Sequence, residues 1–154
     1  MLATLINKDK FLKIKKFKKV VIDFYKLIRI AKFADKNFLT EINDLISSKV
    51  WDQNVQTVRI HGDFTPWNLK FKKDKNKLVA YDWEYSLDSY LPFYDLLFYK
   101  YSVKKLLKKK IKVNKMKYIN YLYSKGYSLD IDLIEKVFLI SEIVVLTKLK
   151  MYAK

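Results

Sequence analysis

The feature that most constrains the fold is the segment HGDFTPWN, residues 61–68, because it separates two stretches of strand-like sequence. Before it, VQTVRI (residues 55–60) is short and rich in β-branched residues, which predicts a strand that delivers the chain into a loop. After it, LKF and LVAY flank the polar run KKDKNK, which predicts a β-hairpin from about residue 69 to residue 81. The polar segment therefore lies between a strand and a hairpin, where loop side chains are free to do chemistry.

Helical patterns fill most of the remaining sequence. Apolar residues recur every three or four positions over residues 11–33, which predicts an amphipathic helix with a solvent-exposed lysine face. Thr40, Pro92 and Asp130 are suited to the first turns of further helices, and Gly126 is a C-terminal stop signal. These further helices are predicted at residues 41–50, 91–107, 114–124 and 131–150. We expect an α+β fold, mostly helical, with the helices packed around one strand and one hairpin.

Length and cysteine content set the cellular expectations. A chain of 154 residues fits a single domain, 1–154, with a core large enough for stability. Cysteine is absent, and no leader-like segment follows Met1, so a cytoplasmic location is the default expectation. The apolar stretches fall short of the roughly 20 residues that a membrane span needs, so no transmembrane helix is expected.

The charge balance is strongly basic. Lys and Arg number 32 against 16 Asp and Glu, which gives a formal net charge of +16. Such a field attracts nucleic acid or another polyanion, so a non-catalytic basic binding module is one interpretation of the chain. Arginine, which phosphate and base recognition favour, occurs only at Arg29 and Arg59. This scarcity favours a solvated lysine surface over a dedicated nucleic-acid face.

Oxygen-bearing side chains recur at informative intervals in and after the polar segment. Asn68 follows Asp63 by five residues, and Asp82 follows Asn68 by fourteen. The predicted hairpin would bring Asn68 and Asp82 together, and Mg²⁺ or Mn²⁺ accepts such a carboxylate and amide pair when phosphate and water supply the other ligands. Asp63 would then face an incoming hydroxyl and accept its proton. His61 is predicted to be a hydrogen-bonded loop brace.

The segments HGDFTPWN, VAYDWEYS and PFYDLLFY together resemble the catalytic half of the aminoglycoside phosphotransferase and choline kinase superfamily, small-molecule kinases with a protein-kinase-like fold. The resemblance implies that Asp63 is the catalytic aspartate and that Asn68 and Asp82 bind Mg²⁺. It also implies that Asp95 braces the catalytic loop from the following helix and that His61 is the family's structural histidine. ATP would be the co-substrate, and the acceptor would be the hydroxyl of choline, a sugar or an aminoglycoside.

The resemblance covers about residues 59–99 and implies a kinase-like C-terminal lobe. Choline-kinase-like members usually carry another residue where Gly62 stands, so the subfamily stays open. Gly62 and Gly126 are the only glycines, so no glycine-rich phosphate loop can be written, and the residues before Val55 are predicted to be helical. The N-terminal sheet lobe is therefore expected to be absent. Three explanations stay open: a partial or remnant gene product, a split enzyme whose other lobe is a separate chain, or a minimal fold without kinase activity.

Acidic and aromatic side chains after the hairpin form a second candidate set. Glu84, Tyr85 and Asp88 are predicted to bind substrate. Neighbouring aromatic rings would contact a cationic head group. For Trp83, packing in the core is the favoured prediction. Taken singly, the aspartates and Asn68 are also typical of caps and turns. Their joint spacing is what favours a phosphotransferase.

Overall fold

The computed structural model describes residues 6–31, 35–127 and 130–151. These residues form an α+β fold with two small antiparallel sheets, which confirms the predicted fold class at that level. The strands are β1 (Ile6–Lys13), β2 (Asn54–Ile60), β3 (Leu69–Lys72), β4 (Lys77–Ala80) and β5 (Leu87–Tyr90). The helices are α1 (Lys18–Ala31), α2 (Lys36–Ser47), α3 (Tyr94–Leu107), α4 (Lys115–Ser124) and α5 (Ile131–Lys148).

The predicted strand and hairpin are confirmed as β2 and as β3 with β4. The prediction that β2 stands alone was wrong, because β1 and β5 pair with it on either side in the order β1-β2-β5. Side chains also link all three strands, since Ser89 donates to Thr57 and Thr57 donates to the carbonyl of Lys10. Four of the seven β2 residues are buried in succession, as expected for a strand covered on both faces.

The first predicted helix was wrong at its start. Residues up to Lys13 belong to β1 and a 3₁₀ turn follows, so α1 begins only at Lys18. The apolar stripe nevertheless identifies the core face of α1 correctly, because Val21, Phe24 and Ile28 are buried. Phe11, which continues that stripe in sequence, is 62% exposed on β1. Residues 32 and 33 of this prediction lie outside the described residues.

The second helix begins earlier than predicted. Its N-cap is Asp35, whose carboxylate accepts a 2.9 Å hydrogen bond from the backbone N–H of Phe38. Thr40 was predicted as the cap but lies inside α2, where its hydroxyl donates to the carbonyl of Lys36. The helix then ends at Ser47, before Asn54 as predicted.

The three C-terminal helices follow the prediction more closely. Helix α3 starts at Tyr94 instead of residue 91, because Phe93 adopts a left-handed backbone conformation with φ of 71° and keeps Pro92 outside the helix. Asn114 and Asp130 cap α4 and α5, and α5 contributes eight buried residues to the core. None of the helices in the described ranges combines the length and apolar character that crossing a membrane requires.

Candidate active site

The segment 61–68, here called the 61–68 loop, is fixed at its start by the first turn of α3. Asp95 accepts a 2.7 Å hydrogen bond from the backbone N–H of His61 through Oδ2 and a 3.1 Å bond from that of Gly62 through Oδ1. Two amides that leave the end of β2 thus share one carboxylate, which fixes the direction of the chain as it enters the loop. The structure therefore places Asp95 directly behind the loop.

Asp95 is itself largely buried, and this burial is the main influence on its titration. Burial raises the pKa of Asp95, while the amides of His61 and Gly62 and the positive charge of Lys148 act in the opposite direction. Burial outweighs these lowering influences. Asp95 is thus a carboxylate whose surroundings disfavour its charge and whose two oxygens are nevertheless both used as acceptors.

His61 is buried and connects the loop to the end of the hairpin. Its Nε2 lies 2.6 Å from the carbonyl oxygen of Tyr81, and its Nδ1 accepts a hydrogen bond from the backbone N–H of Asp63. A carbonyl oxygen can only accept, so Nε2 carries the proton and the ring is the neutral Nε2–H tautomer. The ring packs against Trp83 at 4.7 Å and against Phe64 at 5.7 Å between centroids. Both ring nitrogens are therefore engaged in holding the loop.

Gly62 occupies a position that no other residue fits. Its φ is 85°, in the left-handed region that L side chains rarely adopt. A Cβ built there would lie 2.1 Å from the carbonyl oxygen of Tyr85, closer than any real contact. The absence of a side chain lets the 85–87 segment pass directly against the loop.

Asp63 and Asn68 contact each other across the loop. The Asn68 Nδ2 group donates to both the backbone carbonyl and the Oδ2 of Asp63, each at 3.0 Å. The Asp63 carbonyl also accepts from the N–H of Thr65 at 2.9 Å, which tightens the turn. Because Nδ2 is used for Asp63, Asn68 keeps its Oδ1 as an oxygen donor for another group.

The hairpin brings Asp82 to the same place. Leu69 pairs with Ala80, and the N–H of Tyr81 donates to the carbonyl of Asn68 at 2.8 Å, so the residue after Tyr81 lies beside Asn68. Asp82 adopts a φ of 61° there, and its exposed carboxylate forms no hydrogen bond or ion pair within the described residues. The hairpin ends thus bring the backbone of Asp82 next to that of Asn68.

These donors suit a hard cation that takes few protein ligands. Within the described ranges, no three His, Cys, Asp or Glu side chains gather into a group that could hold a metal ion. The Oδ1 of Asn68 and the carboxylate of Asp82 are two oxygen ligands of the type Mg²⁺ prefers, and Mg²⁺ usually retains waters or phosphate oxygens for its other positions. The donor types of this pair are thus those that Mg²⁺ would accept together with phosphate or water oxygens.

The predicted substrate side chains lie on the exposed segment after the hairpin. Tyr85 is exposed, and its pKa is raised first by the neighbouring Glu84 carboxylate and further by the charges of Asp82 and Asp63. Asp88 forms a 3.4 Å ion pair with Arg59. The prediction that Trp83 packs in the core was wrong: it is 45% exposed, with the Arg59 guanidinium 5.2 Å from its ring. Its indole N–H donates to Ala80, which explains why it stays at the surface.

Sequence reasoning missed one residue that reaches the loop from far away. Lys148, at the end of α5, donates to the carbonyl of Gly62 at 3.2 Å, across 86 positions of the chain. Its ammonium also lies 5.6 Å from the ring of Tyr94 and 5.3 Å from that of Phe98. A lysine in a lysine-rich chain gives no local signal of this contact.

Comparison with known proteins gives no relative for this chain: no family model, no curated protein and no solved structure matches it.

Proposed function

We propose that this chain is the metal-binding and acceptor-activating part of an ATP-dependent phosphotransferase that acts on the hydroxyl of a small molecule, within a kinase-like C-terminal lobe. The observation that carries the proposal is the position of Asn68 between two aspartates. Its side chain donates to Asp63, and its backbone carbonyl accepts from Tyr81, next to Asp82. The Asn68–Asp63 contact and the position of Asp82, directly after a residue bonded to Asn68, support a joint role for the three residues.

Each of these residues has a distinct task. Asp63 is partly exposed, and one of its carboxylate oxygens is held by Asn68, so the group is oriented for an incoming hydroxyl. It accepts the proton of that hydroxyl during transfer. Asn68 and Asp82 would hold Mg²⁺, which when bound neutralises phosphate charge. Asp95 and His61 act through the backbone, because their hydrogen bonds go to the amides and carbonyls that shape the loop.

The nucleotide clamp has to come from elsewhere. Kinases of this kind cover the phosphates of ATP with a glycine-rich loop. The two glycines of these 154 residues, Gly62 and Gly126, both lie in turns with positive φ and not in such a loop. Residues outside this sequence or a second polypeptide would therefore supply the clamp, and nucleotide binding by these residues alone should be weak.

Metal binding tests the proposal without requiring turnover. We expect Mn²⁺, added as a paramagnetic substitute for Mg²⁺, to enhance water-proton relaxation, and ATP to strengthen its binding. Asp82→Ala should weaken Mn²⁺ binding by about tenfold or more, because half of the protein ligands are lost. Asp74→Ala is the matched control, since Asp74 lies in the exposed turn at the other end of the hairpin. Unchanged Mn²⁺ binding in an Asp82→Ala, Asn68→Ala double variant would overturn the metal role.

A further inference from the structure

A pocket of about 280 Å³ opens beside the 61–68 loop, where the end of β2 meets β5 and the last turn of α5. Gly62 and Tyr85 form part of its wall, so the pocket lies one residue away from Asp63. Its volume is at the low end for ligand sites, which suits a small molecule the size of a monosaccharide. Nothing in the site described above uses this space.

The charge of the pocket is the informative property. Among the described residues that line it, Lys148 alone carries a formal charge at neutral pH, and the others are aliphatic residues, Gly62, Thr147 and the tyrosines 85, 90 and 94. Lys148 forms no ion pair within the described part of the chain. Its ammonium has three N–H donors and gives one to the carbonyl of Gly62; beside the rings of Tyr94 and Phe98, the other two have no oxygen acceptor among the described residues.

The neutral polar groups of the lining suit an alcohol. Burial raises the pKa of Tyr90 and of Tyr94, so both phenols stay protonated at neutral pH and can donate hydrogen bonds. The hydroxyl of Thr147 donates to the carbonyl of Ile143 at 2.8 Å, which leaves its oxygen able to accept from a ligand hydroxyl. The tyrosine rings add apolar surface against which a sugar ring can pack.

Two carboxylates act on the pocket from outside its lining: Asp95 interacts with the charge of Lys148, and the charges of Asp95 and Asp63 add to burial in raising the pKa of Tyr94. Asp63 and Asp95 are not among the pocket's lining residues. The Asp63 carboxylate accepts from the Asn68 side chain, and both oxygens of Asp95 accept from the amides of His61 and Gly62. Within the lining itself, a ligand therefore meets an ammonium donor and no carboxylate, while its reacting hydroxyl has to reach Asp63 outside the lining.

We propose that this pocket is the acceptor site and that it selects a small alcohol bearing an anionic group, such as a sugar acid, over one bearing an amine. The assignment of the pocket as an acceptor site rests on the proposed phosphotransferase function, whereas the charge preference rests on the residues that line the pocket. A carboxylate would receive a charge-assisted hydrogen bond from Lys148, whereas an ammonium would lose water and face a like charge.

Three pyranoses that differ mainly in charge test this preference: glucuronate, glucose and glucosamine. We expect the 154-residue chain to bind glucuronate about tenfold or more tightly than glucose, as one charge-assisted hydrogen bond permits, and glucosamine most weakly. Titrations followed by backbone amide shifts should move the signals of Gly62 and Thr147 with glucuronate. Equal or tighter binding of glucosamine, or no binding of any of the three sugars, would overturn the proposal.

Lys148→Met removes the ammonium and keeps most of the aliphatic stem, so the advantage of glucuronate over glucose should disappear. Lys105→Met is the matched control, because Lys105 also donates to a backbone carbonyl, that of Leu149, and lies outside the pocket lining. An advantage that persists in Lys148→Met contradicts the proposal. If that variant fails to fold, the order of affinities for the three sugars and the amide shifts in the unmodified chain still test the proposal.

These titrations contain neither metal nor nucleotide, so their outcome is independent of the Mn²⁺ experiment. Glucuronate selectivity together with unchanged Mn²⁺ binding in the Asp82→Ala, Asn68→Ala variant would refute the phosphotransferase and leave an anion-selective sugar pocket. Mn²⁺ binding lost in that variant, together with a preference for glucosamine, would refute the pocket assignment alone.

Discussion

The carboxylate of Asp95 accepts a 2.7 Å hydrogen bond from the backbone N–H of His61, so the first turn of α3 holds the entry of the 61–68 loop. The second oxygen of the same carboxylate accepts from Gly62. A carboxylate offers an acceptor to each of these amides, whereas an asparagine side chain has only one oxygen. This difference allows the brace to be tested without removing the side chain.

We expect hydrogen exchange to report the brace amide by amide. In Asp95→Ala, the amides of both His61 and Gly62 should lose protection, because neither retains its acceptor. In Asp95→Asn, one of the two should lose protection and the other should keep most of it. Asp74→Asn, in the exposed hairpin turn, is the control and should change neither amide. Full protection of both amides in Asp95→Ala would show that the carboxylate does not hold the loop.

The titration of Asp95 makes a separate prediction about stability. Burial raises its pKa above the ordinary value of 3.8, so the folded chain binds this proton more tightly than the unfolded chain does. Protonation of Asp95 therefore stabilises the fold, and this contribution is complete below pH 3.8 and is lost as the pH rises through the folded pKa. Asp95→Asn has no such group.

We accordingly expect the free energy of unfolding of the wild type, minus that of Asp95→Asn, to fall as the pH rises from below 3.8 towards neutrality. Urea unfolding at a series of pH values measures this difference, and other titrating groups largely cancel in it. A difference that rises with pH would mean that the two amides and Lys148 lower the pKa of Asp95 by more than burial raises it.

Alanine substitutions at Gly62 and Gly126 separate two effects on stability, that of the left-handed backbone and that of a close contact. Both glycines have a φ of 85°, so an alanine at either position should cost about 1–2 kcal/mol for the left-handed conformation. At Gly62 the new Cβ would also lie 2.1 Å from the carbonyl oxygen of Tyr85, which should add about 1–3 kcal/mol. Urea unfolding should therefore show Gly62→Ala to be the more destabilised variant. Equal losses of unfolding free energy in the two variants would show that the contact with Tyr85 does not contribute.

The fold was predictable where one local rule dominates. Asn114 and Asp130 are caps that precede clear apolar runs, and KKDKNK between two short apolar strands gives a hairpin over the expected residues. The elements that were not predicted depend on pairing between strands that are distant in sequence. Phe11 has helical spacing to Ile14 but lies in β1, because β2 offers that segment a partner strand. Strand β5 has four residues, too few for its alternation to stand out.

The candidate site shows a similar division. The spacing of Asp63, Asn68 and Asp82 depends on one loop and one hairpin, so sequence alone could bring them together. The contact of Lys148 with Gly62 depends on how α5 packs over residues 86 positions away, and no local pattern encodes it. Trp83 was misplaced because its ring packs on His61 at the surface, where an aromatic residue is half-covered and still exposed.

His61 yields a spectroscopic prediction, because it is the only histidine in the chain. Its Nε2 faces the carbonyl of Tyr81 and its Nδ1 accepts from the amide of Asp63, so we expect the neutral Nε2–H tautomer. Long-range ¹H–¹⁵N correlation at neutral pH will contain one imidazole and reveal which nitrogen bears the proton. A proton on Nδ1 would contradict both hydrogen bonds and the described link between loop and hairpin.

The last prediction concerns catalysis by Asp63. Phosphoryl transfer depends mostly on holding the phosphoryl group, metal and acceptor in line, so these 154 residues without a nucleotide clamp should turn over ATP barely above background. Adding a glycine-rich sheet lobe as a separate polypeptide should restore phosphorylation of a small alcohol. Choline, aminoglycosides, sugars and sugar acids, assayed with radiolabelled ATP with and without that lobe, are the acceptors to screen.

In the restored pair, Asp63→Asn should lower kcat by about 10²–10⁴, because an amide cannot accept the acceptor's proton. The variant retains an oxygen for the Asn68 side chain, so the loop and Mn²⁺–ATP binding should change little. Asp74→Asn, remote on the hairpin turn, should leave kcat unchanged. Turnover that survives Asp63→Asn would remove Asp63 as the proton acceptor, and robust turnover by the unassisted chain would show that no separate clamp is needed.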